Sequence, residues 1–127
     1  MCNHGWVSHN TSCYLVKHEL TTWPDAKVIC DVVSAKLVEI ETSEENNFLK
    51  GLLRENNLHS AWIGLEDFVA EGEFVWSSSG QLAEYKNWES GEPNDFRREQ
   101  DCGTLLSSGQ WHDNNCEIKF PFICEAP

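Results

Sequence analysis

AWIGL, residues 61–65, is an uninterrupted apolar run in a chain of 127 residues. Its length and its aromatic, β-branched and aliphatic side chains predict a buried strand. Two amphipathic segments precede this run, and a long polar segment follows it. The chain is therefore predicted to fold as an α+β domain with both helices in its first half.

Both helices are predicted from capping signals together with an apolar face. Thr22 caps the first helix, with Pro24 in its first turn, and Thr42 and Glu45 form a capping box at the start of the second. The apolar faces consist of Trp23, Ala26, Cys30 and Val33 in the first helix and of Phe48, Leu49, Leu52 and Leu53 in the second.

Short apolar segments predict the remaining strands. These segments are residues 6–20, read as two strands joined by a turn, and residues 37–40, 73–76, 104–106, 110–111 and 120–124. The intervening residues 77–101 are rich in Ser, Gly, Glu and Asn and show little periodicity. Structureless segments longer than about 12 to 15 residues are uncommon in compact domains and tend to be functional. This loop is therefore where a site is expected.

The charge of the chain excludes some classes of partner. It carries 21 acidic and 9 basic residues, a formal net charge of −12. Nucleic acid and anionic membrane surfaces would be repelled, whereas divalent cations would be attracted wherever carboxylates cluster. An acidic surface that serves only solubility is the alternative interpretation. No apolar run approaches the roughly 20 residues that span a bilayer, so membrane insertion is not expected.

Six cysteines in so short a chain favour a disulfide framework and a secreted, extracellular protein. The zinc alternative lacks CxxC or HxxxH spacing. Six cysteines allow fifteen pairings, and the residues alone do not choose among them.

Oxygen-bearing side chains accumulate in and just after the long loop. Glu92-Pro93-Asn94-Asp95 lies inside it, and Trp111-His112-Asp113 follows Asp101. Calcium takes six to eight oxygen ligands, and these carboxylates and amides could supply most of them. Pro, Asn and Asp are also the common residues of turns, so plain turn chemistry is the alternative.

The chain resembles a C-type lectin domain over essentially its full length, 1–127. WIGL at 62–65, EPN at 92–94, WHD at 111–113 in place of the family's WND, and six cysteines of its long form carry the resemblance. It implies a single carbohydrate-recognition domain in which two helices flank small antiparallel sheets, with a long calcium-binding loop. The implied disulfides are Cys2 with Cys13, Cys30 with Cys124, and Cys102 with Cys116.

The resemblance also implies a primary calcium site at which sugar hydroxyls complete the shell. The positions carried over are Glu92, Asn94, Gln100, His112 and Asp113, with Pro93 in the cis form. Gln100 stands where Glu is usual and His112 where Asn is usual, so two anionic ligands remain and weaker calcium binding is expected. His112 is a poor calcium ligand and is expected to hydrogen-bond a sugar hydroxyl. One alternative is that His112 has only a structural role. Another is that Glu99 takes the ligand position in place of Gln100.

The resemblance also implies an auxiliary calcium site that is held by four further carboxylates. They belong to Asp67, Glu71, Asp95 and Asp101. Four carboxylates held close together repel one another unless a cation lies between them. A solvated acidic rim without metal is the alternative.

The resemblance implies a secreted, calcium-dependent lectin with a part in innate recognition of microbial glycans. In the family, EPN goes with the mannose, glucose, N-acetylglucosamine and fucose group, which is the sugar class expected here. Phe96, Arg97 and Arg98 are expected to tune secondary contacts. Weak monosaccharide binding predicts a homo-oligomer that gains avidity. The alternative is a lectin-like module without sugar binding, acting through proteins or mineral. An enzyme is not expected, since Glu44-Glu45 act as helix N-terminal charges and no nucleophile with its base is evident.

Overall fold

The apolar run lies in the fourth strand of the structure, a computed structural model that describes residues 2–93 and 101–127. Its elements are β1 (Val7–His9), β2 (Ser12–Thr21), α1 (Trp23–Val32), β3 (Lys36–Leu37), α2 (Ser43–Glu55), β4 (Ser60–Glu66), β5 (Val75–Trp76), β6 (Cys102–Leu106), β7 (Trp111–Asn114) and β8 (Phe120–Ala126). The α+β prediction is confirmed.

The strands form one sheet in the order β1-β2-β8-β4-β6-β7. Strand β3 pairs with β8, and β5 pairs with β4. The β4–β8 pair is parallel and the others are antiparallel. Strand β4 is therefore central, and the β6–β7 hairpin that carries WHD lies at one edge.

Residues 61–65 are all buried, as predicted. Gly64 allows a close approach of two backbones, since a Cβ atom there would lie 2.9 Å from the carbonyl oxygen of Leu37. The Trp62 indole donates to the carbonyl of Thr21 at 2.8 Å, and the Trp23 indole donates to that of Ile63 at 2.9 Å. The buried indoles thus join β4 to α1 and to the end of β2.

Both helices begin where their capping signals predict. The Thr22 hydroxyl accepts from the Asp25 N–H at 3.4 Å, and the Thr42 hydroxyl accepts from the Glu45 N–H at 3.1 Å. In a capping box the Glu45 side chain would accept from the N–H of Thr42. Here Glu45 Oε1 accepts instead from the N–H of the preceding residue, Glu41. The prediction for Val33 is wrong: it lies beyond the end of α1 and is 46% exposed.

Two predicted strands are shorter than expected. The segment 37–40 pairs only at 36–37, because the Glu39 N–H donates to the side chain of Glu125 at 2.8 Å instead of to a strand carbonyl. The segment 73–76 pairs only at 75–76, because the Glu73 N–H closes a turn on the Ala70 carbonyl at 2.9 Å.

The three disulfides join the cysteines that the resemblance pairs. They are Cys2–Cys13, Cys30–Cys124 and Cys102–Cys116. The second ties α1 to β8, and the third closes the open end of the β6–β7 hairpin. Among the described residues, the helices are too short and too polar to cross a bilayer.

Candidate functional site

Strand β7 presents Trp111-His112-Asp113 with alternating burial. Trp111 is fully buried, His112 is half-buried and Asp113 is 1% exposed. The Trp111 indole donates to Asn46 Oδ1 of α2 at 2.8 Å, and the Asn46 amide donates to the Gly109 carbonyl at 2.8 Å. Helix α2 therefore fixes the position of β7, and with it the position of Asp113.

The chain just before Pro93 is held against the same strand. The Trp111 N–H donates to the Asn87 carbonyl at 2.9 Å, and the Glu89 N–H donates to the Trp111 carbonyl at 3.1 Å. The Glu92 N–H then donates to the Glu89 carbonyl at 2.8 Å, and the Glu92–Pro93 peptide bond is cis, as expected. These bonds place Glu92 next to β7.

Glu92 and Asp113 meet although 21 residues separate them in sequence. The Asp113 N–H donates to Glu92 Oε1 at 3.2 Å. Burial raises the pKa of Glu92, and hydrogen bonding and charge from the Asp113 carboxylate raise it further. Two carboxylates are thus crowded at the place where the resemblance puts the primary calcium ligands.

His112 has a partner that sequence reasoning missed. Its Nε2 contacts Glu89 Oε2. Trp88 and Trp111 form a parallel bridge that sets the next residues, Glu89 and His112, side by side, and no motif in the sequence indicates this pairing. An ionised carboxylate only accepts hydrogen bonds, so Nε2 of His112 is the donor in this pair.

A second acidic grouping forms at the junction of β4 and β6. Carboxylate oxygens of Asp67, Glu71 and Asp101, which we call the acidic triad, all lie within 4.8 Å of one another. The Asp67 N–H donates to the Asp101 carbonyl at 3.1 Å, and the Gly72 N–H donates to Asp67 Oδ2 at 2.8 Å. Oδ1 of Asp101 is buried and has no hydrogen-bond partner among residues 2–93 and 101–127.

The triad and the Glu92–Asp113 pair suit a hard cation. Calcium takes carboxylate oxygens, and a buried carboxylate oxygen without a donor is costly unless a proton or a cation satisfies it. The remaining predicted ligands, Asn94, Asp95 and Gln100, lie outside the described residues, as do Phe96, Arg97, Arg98 and Glu99.

Comparisons with known proteins show the family of the chain. The family model described as "Lectin C-type domain" matches residues 19–126. The chain is 35% identical over 126 residues to the low affinity immunoglobulin epsilon Fc receptor of Mus musculus, covering 98% of this chain and 37% of that receptor. It spans 30 to 37% of the length of several such curated relatives.

Solved structures show the same fold. A mouse scavenger receptor C-type lectin carbohydrate-recognition domain has a TM-score of 0.92 at 34% identity, covering 99% of this chain and 98% of that one. The cow C-type carbohydrate-recognition domain of CD23, solved in the presence of a GlcNAc2Man3 oligosaccharide, has a TM-score of 0.90 at 33% identity, covering 99% and 95%.

Proposed function

The chain belongs to the C-type lectin domain family, and on this premise we propose that residues 1–127 act as one calcium-dependent carbohydrate-recognition domain. The relatives support glycan binding in general, and the family is one of binding domains, not of enzymes. Calcium dependence, the sugar class and the ligand residues are the content of the proposal.

The observation on which the proposal rests is the meeting of Glu92 and Asp113. They come from two separate segments, and backbone bonds to β7 hold both in place. We assign them, with Asn94 and Gln100, to the primary calcium ion. Bound calcium would supply a positive charge between the carboxylates and coordination places for two sugar hydroxyls.

The acidic triad supports a second ion. Asp67, Glu71 and Asp101 offer three carboxylates, and Asp95 is the fourth proposed ligand. The buried Oδ1 of Asp101 fits a role as a ligand, because no described residue donates to it. This ion would hold the loop after β4 against the start of β6.

The proposed sugar class rests on the EPN motif and agrees with the hydrogen-bonding groups that it supplies. Glu92 accepts, and Asn94 both donates and accepts, so a hydroxyl bound to calcium can bond to both. Two neighbouring equatorial hydroxyls suit this pair, and in the C-type lectin family the EPN motif goes with mannose, glucose, N-acetylglucosamine and fucose, which we propose as the sugar class. His112 donates through Nε2 to Glu89, so in its neutral form Nδ1 is left to accept from a hydroxyl.

The three disulfides support a secreted protein in an oxidising compartment. A single monosaccharide site binds weakly, so we propose that several copies act together on microbial or glycoprotein glycans.

One contact favours a second candidate function, a lectin-like module that binds protein without sugar. The imidazole of His112 is already engaged by Glu89, where the family's usual Asn would serve calcium and sugar. Calcium binding without a glycan signal would favour this candidate.

The test is calcium titration by calorimetry, followed by a glycan array with and without chelator and by competition with mannose and galactose. We expect chelator-sensitive binding that mannose inhibits better than galactose. Glu92→Gln should weaken calcium binding by at least about tenfold, since even residues behind the ligands change metal affinity 10- to 100-fold.

Glu117→Gln is the matched control, because Glu117 is exposed and lies outside both acidic groupings. Sugar binding that persists in chelator, or equal calcium affinity in the two variants, would contradict the proposal.

A further inference from the structure

A separate cleft of about 200 Å³ lies between the segment that precedes α2 and the turn that follows β5. It is lined by Ile40, Glu41, Trp76, Gln81, Leu82, Glu84 and Tyr85. None of these belongs to the proposed calcium or sugar ligands. Its volume is below that of typical ligand pockets, about 300 to 1,000 Å³, so it suits a group the size of one side chain.

The cleft has a rigid apolar base. Ile40 is fully buried and Trp76 is 5% exposed. Backbone bonds fix the turn, since the Trp76 N–H donates to the Gln81 carbonyl at 3.0 Å and Val75 bridges Leu82. The half-buried Tyr85 ring packs edge-on against Trp111 with centroids 5.8 Å apart. The aromatic wall is therefore formed before any ligand binds.

The polar groups of the cleft have no partners within the part of the chain that the structure describes. Glu41 and Glu84 are exposed, and their carboxylates form no ion pair or hydrogen bond there. The same holds for the Tyr85 hydroxyl and for the Gln81 side-chain amide. Nearby Glu39, in contrast, is paired with Lys36 at 3.3 Å.

The local charge favours a cation. Glu41 and Glu84 are both negative, and burial raises the pKa of Tyr85, which keeps its hydroxyl neutral. Lys86 follows Tyr85 in sequence but forms no ion pair with any described residue. The net charge of −12 adds a long-range attraction for positive groups.

We propose that this cleft binds a guanidinium group, presented as an arginine side chain by a partner protein. Carboxylates accept its N–H groups, and aromatic side chains such as Tyr85 favour a planar, weakly hydrated cation over a compact ammonium. None of the lining residues is a proposed calcium or sugar ligand, so we expect the cleft to bind whether or not sugar is bound.

The experiment is an NMR titration of the ¹⁵N-labelled chain with N-acetyl-L-argininamide, without calcium and without sugar. We expect shifts at the backbone amides of residues 81–85 and at the Trp76 indole. The neutral amide of N-acetyl-citrulline, which has the same shape without the charge, should leave these signals unchanged.

A double variant tests the carboxylates. Glu41→Gln with Glu84→Gln should weaken argininamide binding by about fivefold, the effect of losing two solvent-exposed charge pairs. Glu55→Gln with Glu117→Gln removes two exposed charges elsewhere and should leave it unchanged. Equal shifts with the citrulline amide, no shift at the cleft, or unchanged affinity in the first double variant would overturn the proposal.

Discussion

Two acidic regions of this molecule, each with buried carboxylate oxygens, differ in how these oxygens are satisfied. In the first, Glu125 accepts from the Glu39 N–H at 2.8 Å, while Glu39 accepts from the Ser78 N–H at 3.2 Å and pairs with Lys36. Burial raises the pKa of Glu125 to about 7. Protein donors and one lysine thus satisfy this region, which we call the Glu125 region, and the raised pKa favours the protonated form of Glu125 below about pH 7.

The acidic triad is built differently. The Gly72 N–H donates to Asp67, and a buried oxygen of Asp101 has no hydrogen-bond partner among the described residues. Three carboxylates converge there within 4.8 Å. The comparison teaches that burial alone does not indicate a metal site. What distinguishes the triad is the convergence of three carboxylates, one of which has a buried oxygen, Asp101 Oδ1, that no described residue satisfies.

The largest expected difference between the two regions is their response to calcium. One ion present at 100 times its dissociation constant should raise the free energy of unfolding by about 2.7 kcal/mol. Asp101→Asn should remove much of this gain, because it takes a charge from the triad. Thermal unfolding in calcium and in chelator measures the calcium-induced gain in wild type and in Asp101→Asn. An equal calcium-induced gain in Asp101→Asn and wild type would refute the assignment, and Glu125→Gln should keep the full gain.

The next difference is in pH dependence. Because the folded-state pKa of Glu125, about 7, lies above its ordinary value of 4.5, the folded chain binds more protons than the unfolded chain between these values. The contribution of Glu125 to the free energy of unfolding therefore falls as pH rises through this window. Glu125→Gln keeps an acceptor for the Glu39 N–H and removes the titration.

Chemical denaturation of both proteins in chelator at pH 5 and pH 8 tests this prediction. Between pH 5 and pH 8 the free energy of unfolding of Glu125→Gln should rise by about 2 kcal/mol relative to that of wild type, since each pKa unit corresponds to about 1.4 kcal/mol. A constant difference between wild type and Glu125→Gln across this range would contradict it.

The smallest effect concerns a hydrogen bond near the Glu125 region. The Tyr14 hydroxyl donates to Glu45 Oε2 at 2.6 Å, and burial and the Glu45 carboxylate raise the pKa of Tyr14. Tyr14→Phe should cost about 1 kcal/mol of stability, because Glu45 loses a donor. Tyr85→Phe is the matched control, since the Tyr85 hydroxyl bonds to no described residue. Urea denaturation of both variants should show a loss only for Tyr14→Phe.

Local signals in the sequence predicted much of the fold. Thr22 and Thr42 mark the helix starts because capping involves neighbours three residues away. The end of β3 was not predictable in this way. It depends on a bond between the Glu39 N–H and a side chain 86 residues further on. Nothing near Glu39 in the sequence indicates that acceptor.

The candidate site shows the same division. The family resemblance predicted that Asp67, Glu71 and Asp101 share one calcium site, and the structure brings their carboxylates within 4.8 Å of one another. The partner of His112 was missed, because Glu89 lies 23 residues away and becomes a neighbour only through the bridge between Trp88 and Trp111. Pairings of this kind depend on the sheet edge, which motif spacing does not encode.

The disulfide between Cys102 and Cys116 affects both proposed calcium sites. It closes a covalent ring around the β6–β7 hairpin. Asp101 stands immediately outside this ring and Asp113 stands within it, so each acidic grouping contributes one carboxylate to a common frame. Reducing this disulfide would loosen the acidic triad and the Glu92–Asp113 pair at the same time. A hairpin grafted into another scaffold would need both cysteines to keep Asp101 and Asp113 at a fixed separation.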